Sequence, residues 1–378
     1  MFPRILPTSR AARSLRTHFD HARRMYSNET AQVLLMDDIL LSANELARLE
    51  TQAQVFRNQA TNRAELIEAF RPGGPYANIQ GLYRHFGGNR SIRISGRFDA
   101  ELVNALPPSL KFIVHNGAGY DQLDIGALTA RGIQASNVPV VTNAPTADTA
   151  LFLLLGSLRR FPLAMAQLHK GVFNSEFPFT TASNPEGLVL GIVGAGGIGS
   201  ELARKAANAL GMRVIYHNRN RLANEREVVG MPAGLQMSYR ATLKELLEES
   251  DAVSLHCPLT PETHHLIGAE QLKQMRPHAV LINTARGPVV DEAALVNALE
   301  TDEIAGAGLD VYEEEPKIHP GLVALSETKA LLVPHVGTLT LQTQTNMETA
   351  CLRNLAHGLD TGALAFTVKE QAGLNMHA

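Results

Sequence analysis

LVLGIVGAGGIGSELARKAANAL, residues 188–210, decides the fold. It opens as a continuous apolar run, the pattern of a strand buried on both faces of a parallel sheet. It turns at Gly194-Ala195-Gly196-Gly197-Ile198-Gly199 and continues into an Ala-rich amphipathic stretch that predicts a helix over 200–210. A G-x-G-x-x-G is weak by itself, but a buried strand before it and a helix after it make a dinucleotide-binding turn. Gly194 suits the tight turn, Gly196 lets the backbone approach a pyrophosphate, and Gly199 lets helix pack on strand. The helix N-terminus faces the phosphates. Gly194, Gly196, Gly197, Ile198 and Gly199 are the candidate cofactor residues here.

The next apolar run, VIYHNRNRL (214–222), lacks the acid that ordinarily ends this strand and accepts the ribose hydroxyls of NAD. Asn218 stands there, followed by Arg219 and Arg221. Loss of the acid removes repulsion toward a 2′-phosphate, and arginine pairs with one. The pattern therefore points to NADPH in preference to NADH, with use of both as an allowed outcome.

Outward from this unit the chain alternates strand and helix. Strands are expected at 33–38, 110–116, 133–138, 188–194, 212–218, 251–257, 278–284, 304–311 and 330–336. Helices are expected at 43–52, 121–131, 200–210, 243–250 and 291–300, with one long helix over 145–169. This alternation means parallel sheets with crossover helices. The fresh mononucleotide unit in mid-chain marks 143–339 as an inserted dinucleotide-binding domain, with 31–142 and 340–378 forming a substrate domain.

The totals exclude several classes. A chain of 378 residues with 45% hydrophobic and 19% charged residues makes two packed domains. A formal charge of −3 gives no reason to expect nucleic acid as a partner. Two cysteines, Cys257 and Cys351, make no disulfide framework, and no His/Cys cluster suggests a metal. No apolar run is long enough to span a membrane. Residues 1–26 differ: six arginines, one acid and scattered Ser/Thr have the composition of a mitochondrial transit peptide. Without them the formal charge moves from −3 to −8. Mitochondrial targeting is the expectation, a cytoplasmic protein the alternative.

Three later strand ends carry reactive side chains: Arg286 in LINTARGPVVDE, Glu313, Glu314 and Glu315 in GLDVYEEEP, and His335 in LVPHVGTLT. Carboxyl ends of the strands are where doubly wound sheets bind ligands. Arginine forks onto a substrate carboxylate. Histidine passes a proton to a developing alkoxide, and a carboxylate behind the imidazole orients it and favours its protonated form. The set suits reduction of a carbonyl beside a carboxylate.

These segments, together with LVLGIVGAGGIGSELARKA, LHCPLTPETHHLI and PHVG, resemble the D-isomer-specific 2-hydroxyacid dehydrogenase family over essentially all of 31–365. Within it the chain is most similar to fungal glyoxylate reductase and hydroxyisocaproate dehydrogenase types. The resemblance implies an α/β fold of two doubly wound parallel-sheet domains, a Rossmann cofactor domain inserted into a flavodoxin-like substrate domain, and a homodimer formed through the cofactor domain. It selects Arg286, Glu315 and His335 as the catalytic set. It implies substrate binding at Asn116, Gly117, Ala118 and Gly119 in HNGAGYDQLD, opposite Arg286. It adds Thr146, Cys257, Pro258, Thr263, Thr284, Ala285, Asp310 and Gly337 to the cofactor residues. The expected activity is NADPH-dependent reduction of glyoxylate or a related small 2-keto acid to the (R)-2-hydroxy acid. A bulkier hydroxyisocaproate- or mandelate-type substrate is the alternative, and a nucleotide-sensing corepressor-like protein a more distant one. Leu339 departs from the small residues usual after this histidine and is expected to reshape the substrate pocket.

Overall fold

The computed structural model describes residues 30–87, 91–173, 182–222 and 237–374. The arginine-rich segment 1–26 lies outside the described residues. The chain divides into two compact units.

The first unit carries β1 (Ala31–Leu35), β2 (Ala53–Arg57), β3 (Gly81–His85), β4 (Phe112–Asn116) and β5 (Gln134–Ser136). Their order is β2-β1-β3-β4-β5, the flavodoxin-like arrangement, and β1 pairs in parallel with both β2 and β3. Its helices include α1 (Ala43–Glu50), α2 (Arg63–Phe70), α3 (Ala100–Ala105) and α4 (Ile125–Ala130). The starts of α2, α3 and α4 are set by Asn62, Asp99 and Asp124, whose side chains accept from Glu65, Leu102 and Ala127 N–H. Such caps satisfy donors that a helix leaves open.

The second unit holds α5 (Asn143–Leu158), α6 (Phe161–His169), β6 (Val189–Val193), α7 (Gly197–Leu210), β7 (Arg213–His217), β8 (Ser238–Tyr239), α8 (Leu243–Glu249) and β9 (Ala252–Leu255). It continues with α9 (Ala269–Gln274), β10 (Val280–Asn283), α10 (Glu292–Glu300), β11 (Gly306–Leu309), α11 (Pro320–Ala324) and β12 (Ala330–Leu332). The sheet order is β12-β11-β10-β9-β6-β7-β8. Counted from β6, this is the Rossmann order with one strand added, and the winding reverses between β6 and β9. Val189, Leu190, Ile192 and Val193 of β6 are buried, because helices cover both faces. On α7, Leu202, Ala203, Ala206 and Ala207 form the buried stripe that packs in one core cluster with Ala147, Ala150 and Leu154 of α5. Gly211, at φ 63, ends α7 in the left-handed conformation.

Two expectations need correction. The apolar stretch 145–169 is not one helix: it breaks after Leu158, Arg160 takes φ 55, and α6 restarts with Pro162 in its first turn, bent by 69° from α5. Proline is suited to a helix start and opposes continuation through the residue before it. Among the described residues no single helix is long and apolar enough to cross a membrane. The units also divide differently from 143–339: Asn116–Leu123 and Asn137–Cys351 form the nucleotide-binding unit, and the division falls inside α12 (Leu341–Thr361). Hydrogen bonds explain the first shift. Val138 N–H donates to Gly117 O at 2.9 Å, and the Asn137 amide donates to Ala118 O at 2.6 Å.

Candidate active site

His335 follows β12 with its backbone at φ 53, a conformation that costs a non-glycine residue energy and persists only where the surroundings hold it. Asp310, just past β11, holds it. Its carbonyl oxygen accepts His335 N–H at 2.8 Å, and its carboxylate accepts Val336 N–H at 2.6 Å and Gly337 N–H at 3.0 Å. A Cβ on Gly337 would lie 2.9 Å from Asp310 Oδ2, so this loop needs glycine there. Thr146 of α5 packs against the same glycine.

The imidazole Nδ1 of His335 lies 2.8 Å from Glu315 Oε2. The other oxygen of Glu315 accepts Tyr312 N–H at 3.0 Å. Of the three consecutive glutamates, Glu315 is the one placed against the histidine. Glu313 instead bonds His265 at 2.6 Å. Burial pushes the Glu315 carboxyl upward, but the bond and charge of His335, the Tyr312 N–H and the Arg286 charge outweigh it and hold the group below its ordinary range. Burial dominates at Asp310 and raises it.

Arg286 sits at the turn between β10 and α10. Its Nε donates to Asp121 Oδ1 at 2.8 Å and its Nη1 to Ala285 O at 2.7 Å. Asn283 braces the turn from both sides: its amide donates to Arg286 O at 2.9 Å and its oxygen accepts Ala285 N–H at 3.0 Å. In the loop Asn116-Gly117-Ala118-Gly119, Gly119 comes directly against the guanidinium: a Cβ on it would overlap Arg286 Nη2. Asp121 and Asn283 had no role assigned from sequence. Asp121 stood within the quoted HNGAGYDQLD, but its partner is 165 residues away.

The glycine turn lies at the sheet's switch point. Gly194 has φ 95, and a Cβ there would lie 2.7 Å from Cys257 N, which sets the backbone of β6's end against that of the Cys257-Pro258 segment. Gly196 caps α7 without a side-chain bond, so the first amides of Gly197, Ile198 and Gly199 receive none from it. At the end of β7, Asn218 Oδ1 accepts Ala195 N–H at 2.7 Å. The Asn218 oxygen therefore fastens the turn, leaving Arg219 and Arg221 exposed beyond it. The Arg221 guanidinium lies 5.7 Å from the Tyr239 ring centre, within cation–π range. Thr263 is spent within its own loop: its hydroxyl donates to Pro258 O at 2.6 Å and accepts Thr260 N–H at 2.8 Å.

The chain is similar to known proteins. Residues 151–337 match the family model for the NAD-binding domain of D-isomer-specific 2-hydroxyacid dehydrogenases. The 4-methyl-2-oxopentanoate reductase A of Aspergillus oryzae is 39% identical over 338 residues, 89% of this chain and 98% of that protein. Glyoxylate reductase 1 of Saccharomyces cerevisiae is 40% identical over 316 residues, 82% of this chain and 87% of that one. The chain belongs to the D-isomer-specific 2-hydroxyacid dehydrogenase family. Among solved structures, a glyoxylate reductase from Paecilomyes thermophila superposes with a TM-score of 0.83 at 40% identity, covering 90% of this chain and 99% of that one.

A dehydrogenase of this family is an NAD(P)-dependent oxidoreductase, and the residues present fit a dinucleotide. The α7 start lacks a side-chain cap, a Cβ on Gly196 would meet only open space, and the buried Thr284 hydroxyl has no hydrogen-bond partner among the described residues. Each suits a polar ligand at that edge. Just past β9, burial pushes the His256 imidazole down to about 3, and its Nε2 lies 2.9 Å from Ser254 Oγ. Burial raises the neighbouring Cys257 thiol to about 11.

Proposed function

We propose that the chain reduces glyoxylate or a related small 2-keto acid to the 2-hydroxy acid, of R configuration where that carbon is chiral, using NADPH. The observation that carries this reading is the juxtaposition of an orienting carboxylate, an imidazole and a half-buried guanidinium within one nucleotide-binding unit. His335, braced by Glu315, donates the proton to the alkoxide. Arg286 and the loop amides at Ala118 and Gly119 hold the substrate carboxylate. The cofactor, when bound, would supply the hydride. Thr146, Thr284, Ala285, Asp310 and Gly337 would hold its nicotinamide side, and Gly194–Gly199 and Cys257–Thr263 its phosphates and adenine. Preference for NADPH is supported at the end of β7, where Asn218 replaces an acid and Arg219 and Arg221 face solvent. Initial rates with NADPH and NADH against glyoxylate, pyruvate and 2-oxo-4-methylpentanoate test cofactor and substrate class together. The Arg286→Ala variant should lose keto-acid reduction, and unaltered turnover would sink the assignment.

A bulkier, branched substrate is the second reading. Leu339 and Leu341, just past His335, are 55% and 66% exposed, apolar surface that suits an aliphatic side chain; faster turnover of 2-oxo-4-methylpentanoate than of glyoxylate would favour it. A homodimer is supported by the apolar side chains Phe152, Phe161, Met165, Leu168 and Phe173, all exposed on and beside α5 and α6, a patch of the kind that marks an interface. Light scattering tests it. For residues 1–26 we propose mitochondrial targeting. A fusion of this segment to a fluorescent protein should enter mitochondria, and diffuse cytoplasmic fluorescence would refute it.

A further inference from the structure

We infer that Asp121 is a positioning residue that aims Arg286 at the substrate carboxylate and restricts the site to monoanionic 2-keto acids. This rests on the role proposed for Arg286. A guanidinium offers five N–H donors in a rigid plane. Here Nε is held by Asp121 at 2.8 Å and one Nη1 hydrogen by Ala285 O at 2.7 Å, so two protein acceptors fix the plane. What remains for a ligand is Nη2 and the other Nη1 hydrogen, beside Gly119, whose missing Cβ leaves room for Nη2. Asp121 and the amides at Ala118 and Gly119 belong to one short loop. That loop is fastened by Val138 N–H on Gly117 O at 2.9 Å, the Asn137 amide on Ala118 O at 2.6 Å and Leu123 N–H on Tyr120 O at 2.9 Å. Both halves of the carboxylate clamp are thus set by the same segment: its amides form one half, and its aspartate orients the other.

The pairing also has an electrostatic consequence. The side chains of Arg286 and Asp121 are 25% and 24% exposed, so their charges are poorly screened. With Arg286 already paired, the site has little net positive charge. A monocarboxylate still gains directed hydrogen bonds, whereas a second negative charge is repelled by the nearby Asp121 carboxylate and finds the Arg286 charge already shared with it. The substrate class that fits is a 2-keto acid with one carboxylate, and 2-keto dicarboxylates are disfavoured.

The test uses full-length Asp121→Asn, Asp121→Ala and Arg286→Ala with glyoxylate and NADPH. Inhibition is measured with oxamate and oxalate, a monoanion and a dianion of nearly the same shape. Asp121→Ala should lose about 100-fold in kcat/KM, mostly in kcat, because the cation remains but its aim is lost. Asp121→Asn keeps an acceptor for Nε, so it should retain activity within about tenfold of the parent, and it should bind oxalate tighter relative to oxamate by about threefold or more. NADPH affinity, read from nicotinamide fluorescence, should stay within about twofold in both, which a merely structural defect would not leave untouched. Parental kcat/KM in Asp121→Ala, or an unchanged oxalate-to-oxamate ratio in Asp121→Asn, overturns the proposal. If Asp121→Ala does not fold, the inhibitor ratio of Asp121→Asn decides alone. Arg286→Ala separates the two levels. Full activity in it removes the underlying reading of Arg286, whereas its inactivity beside silent Asp121 variants removes only the present inference.

Discussion

Replacing Glu315 by Gln should slow the enzyme without unfolding it. The carboxylate lies 2.8 Å from His335 Nδ1 through Oε2 and accepts Tyr312 N–H at 3.0 Å through Oε1. Glutamine has one carbonyl oxygen, and Tyr312 N–H, which donates only, will claim it. The NH2 group then faces His335 Nδ1, a contact that suits neutral imidazole and repels imidazolium. Two unit charges about 4 Å apart interact by about 2 kcal/mol at an effective dielectric of about 40, intermediate between protein and water. The side chains are 30% and 36% exposed, so solvent screening trims this to about 1–1.5 kcal/mol, or about tenfold in rate. In Glu315→Gln kcat/KM for glyoxylate reduction should therefore fall about tenfold with NADPH affinity unchanged, because the contact that orients the proton donor is replaced by one that opposes it. The assay is NADPH absorbance at constant ionic strength, with NADPH titration and denaturant unfolding of the same variant beside it. A parental kcat/KM in a folded Glu315→Gln would refute the assignment of Glu315 as the partner of the proton donor.

Three further outcomes are expected. Arg219→Asp with Arg221→Ser should reverse the NADPH preference without touching kcat for the favoured cofactor; unchanged discrimination between NADPH and NADH would end the reading of the β7 terminus. Gly194→Ala, at φ 95 with Cys257 N 2.7 Å from the new Cβ, should cost about 2–4 kcal/mol and weaken cofactor binding, measured by denaturant unfolding and NADPH titration. Asp251 is nearly buried; burial raises its carboxyl, but bonds from His278, Val189 N–H and Arg276 outweigh that and lower it. Its stabilising contribution is thus present above the unfolded carboxylate value and lost as pH falls through the lower folded value. Asp251→Asn should be less stable than the parent at pH 7, and the gap should narrow on acidification.

What was legible in the sequence was what a short contiguous stretch encodes. The switch-point turn reads directly, because strand, glycines and helix occur within residues 188–210. Arg286, Glu315 and His335 read because each follows its own strand at the same sheet edge. The break at Arg160 did not read: both flanks are apolar, and one residue at φ 55 redirects the chain. Strands β2 and β3 and helices α2 and α3 went unplaced, because AQVFR and GLYRH are short and mix charge with apolar residues. Arg84 of β3 is even fully buried, with its guanidinium 5.1 Å from the Phe98 ring centre, which no pattern of hydrophobicity would suggest. Asp121 escaped for a different reason. An aspartate in a loop is ordinarily a solvated turn residue, and only folding brings it to Arg286.

The carboxylates around this site divide by what they accept from, and that division separates chemistry from scaffolding. Asp310 gives both oxygens to backbone amides of the residues after His335, so it has little left to offer a substrate and instead maintains the left-handed backbone of the histidine. Glu315 gives one oxygen to an amide and one to the imidazole, and so joins scaffold to proton transfer. Asp121 meets a cation through Oδ1 and sets how much charge the substrate sees. Reduction of a 2-keto acid takes up one proton and gains no net charge on the product. The histidine that gives its proton to the alkoxide leaves Glu315 as an unbalanced anion until solvent returns a proton to the imidazole, whereas the pair of Arg286 and Asp121 keeps its charges throughout. The same pairing makes the site more sensitive to loss of an acceptor than to loss of charge alone. Asp121→Ala frees the guanidinium to turn from the substrate whereas Asp121→Asn still holds it, and the larger loss should appear in kcat, where the aim of the cation matters most.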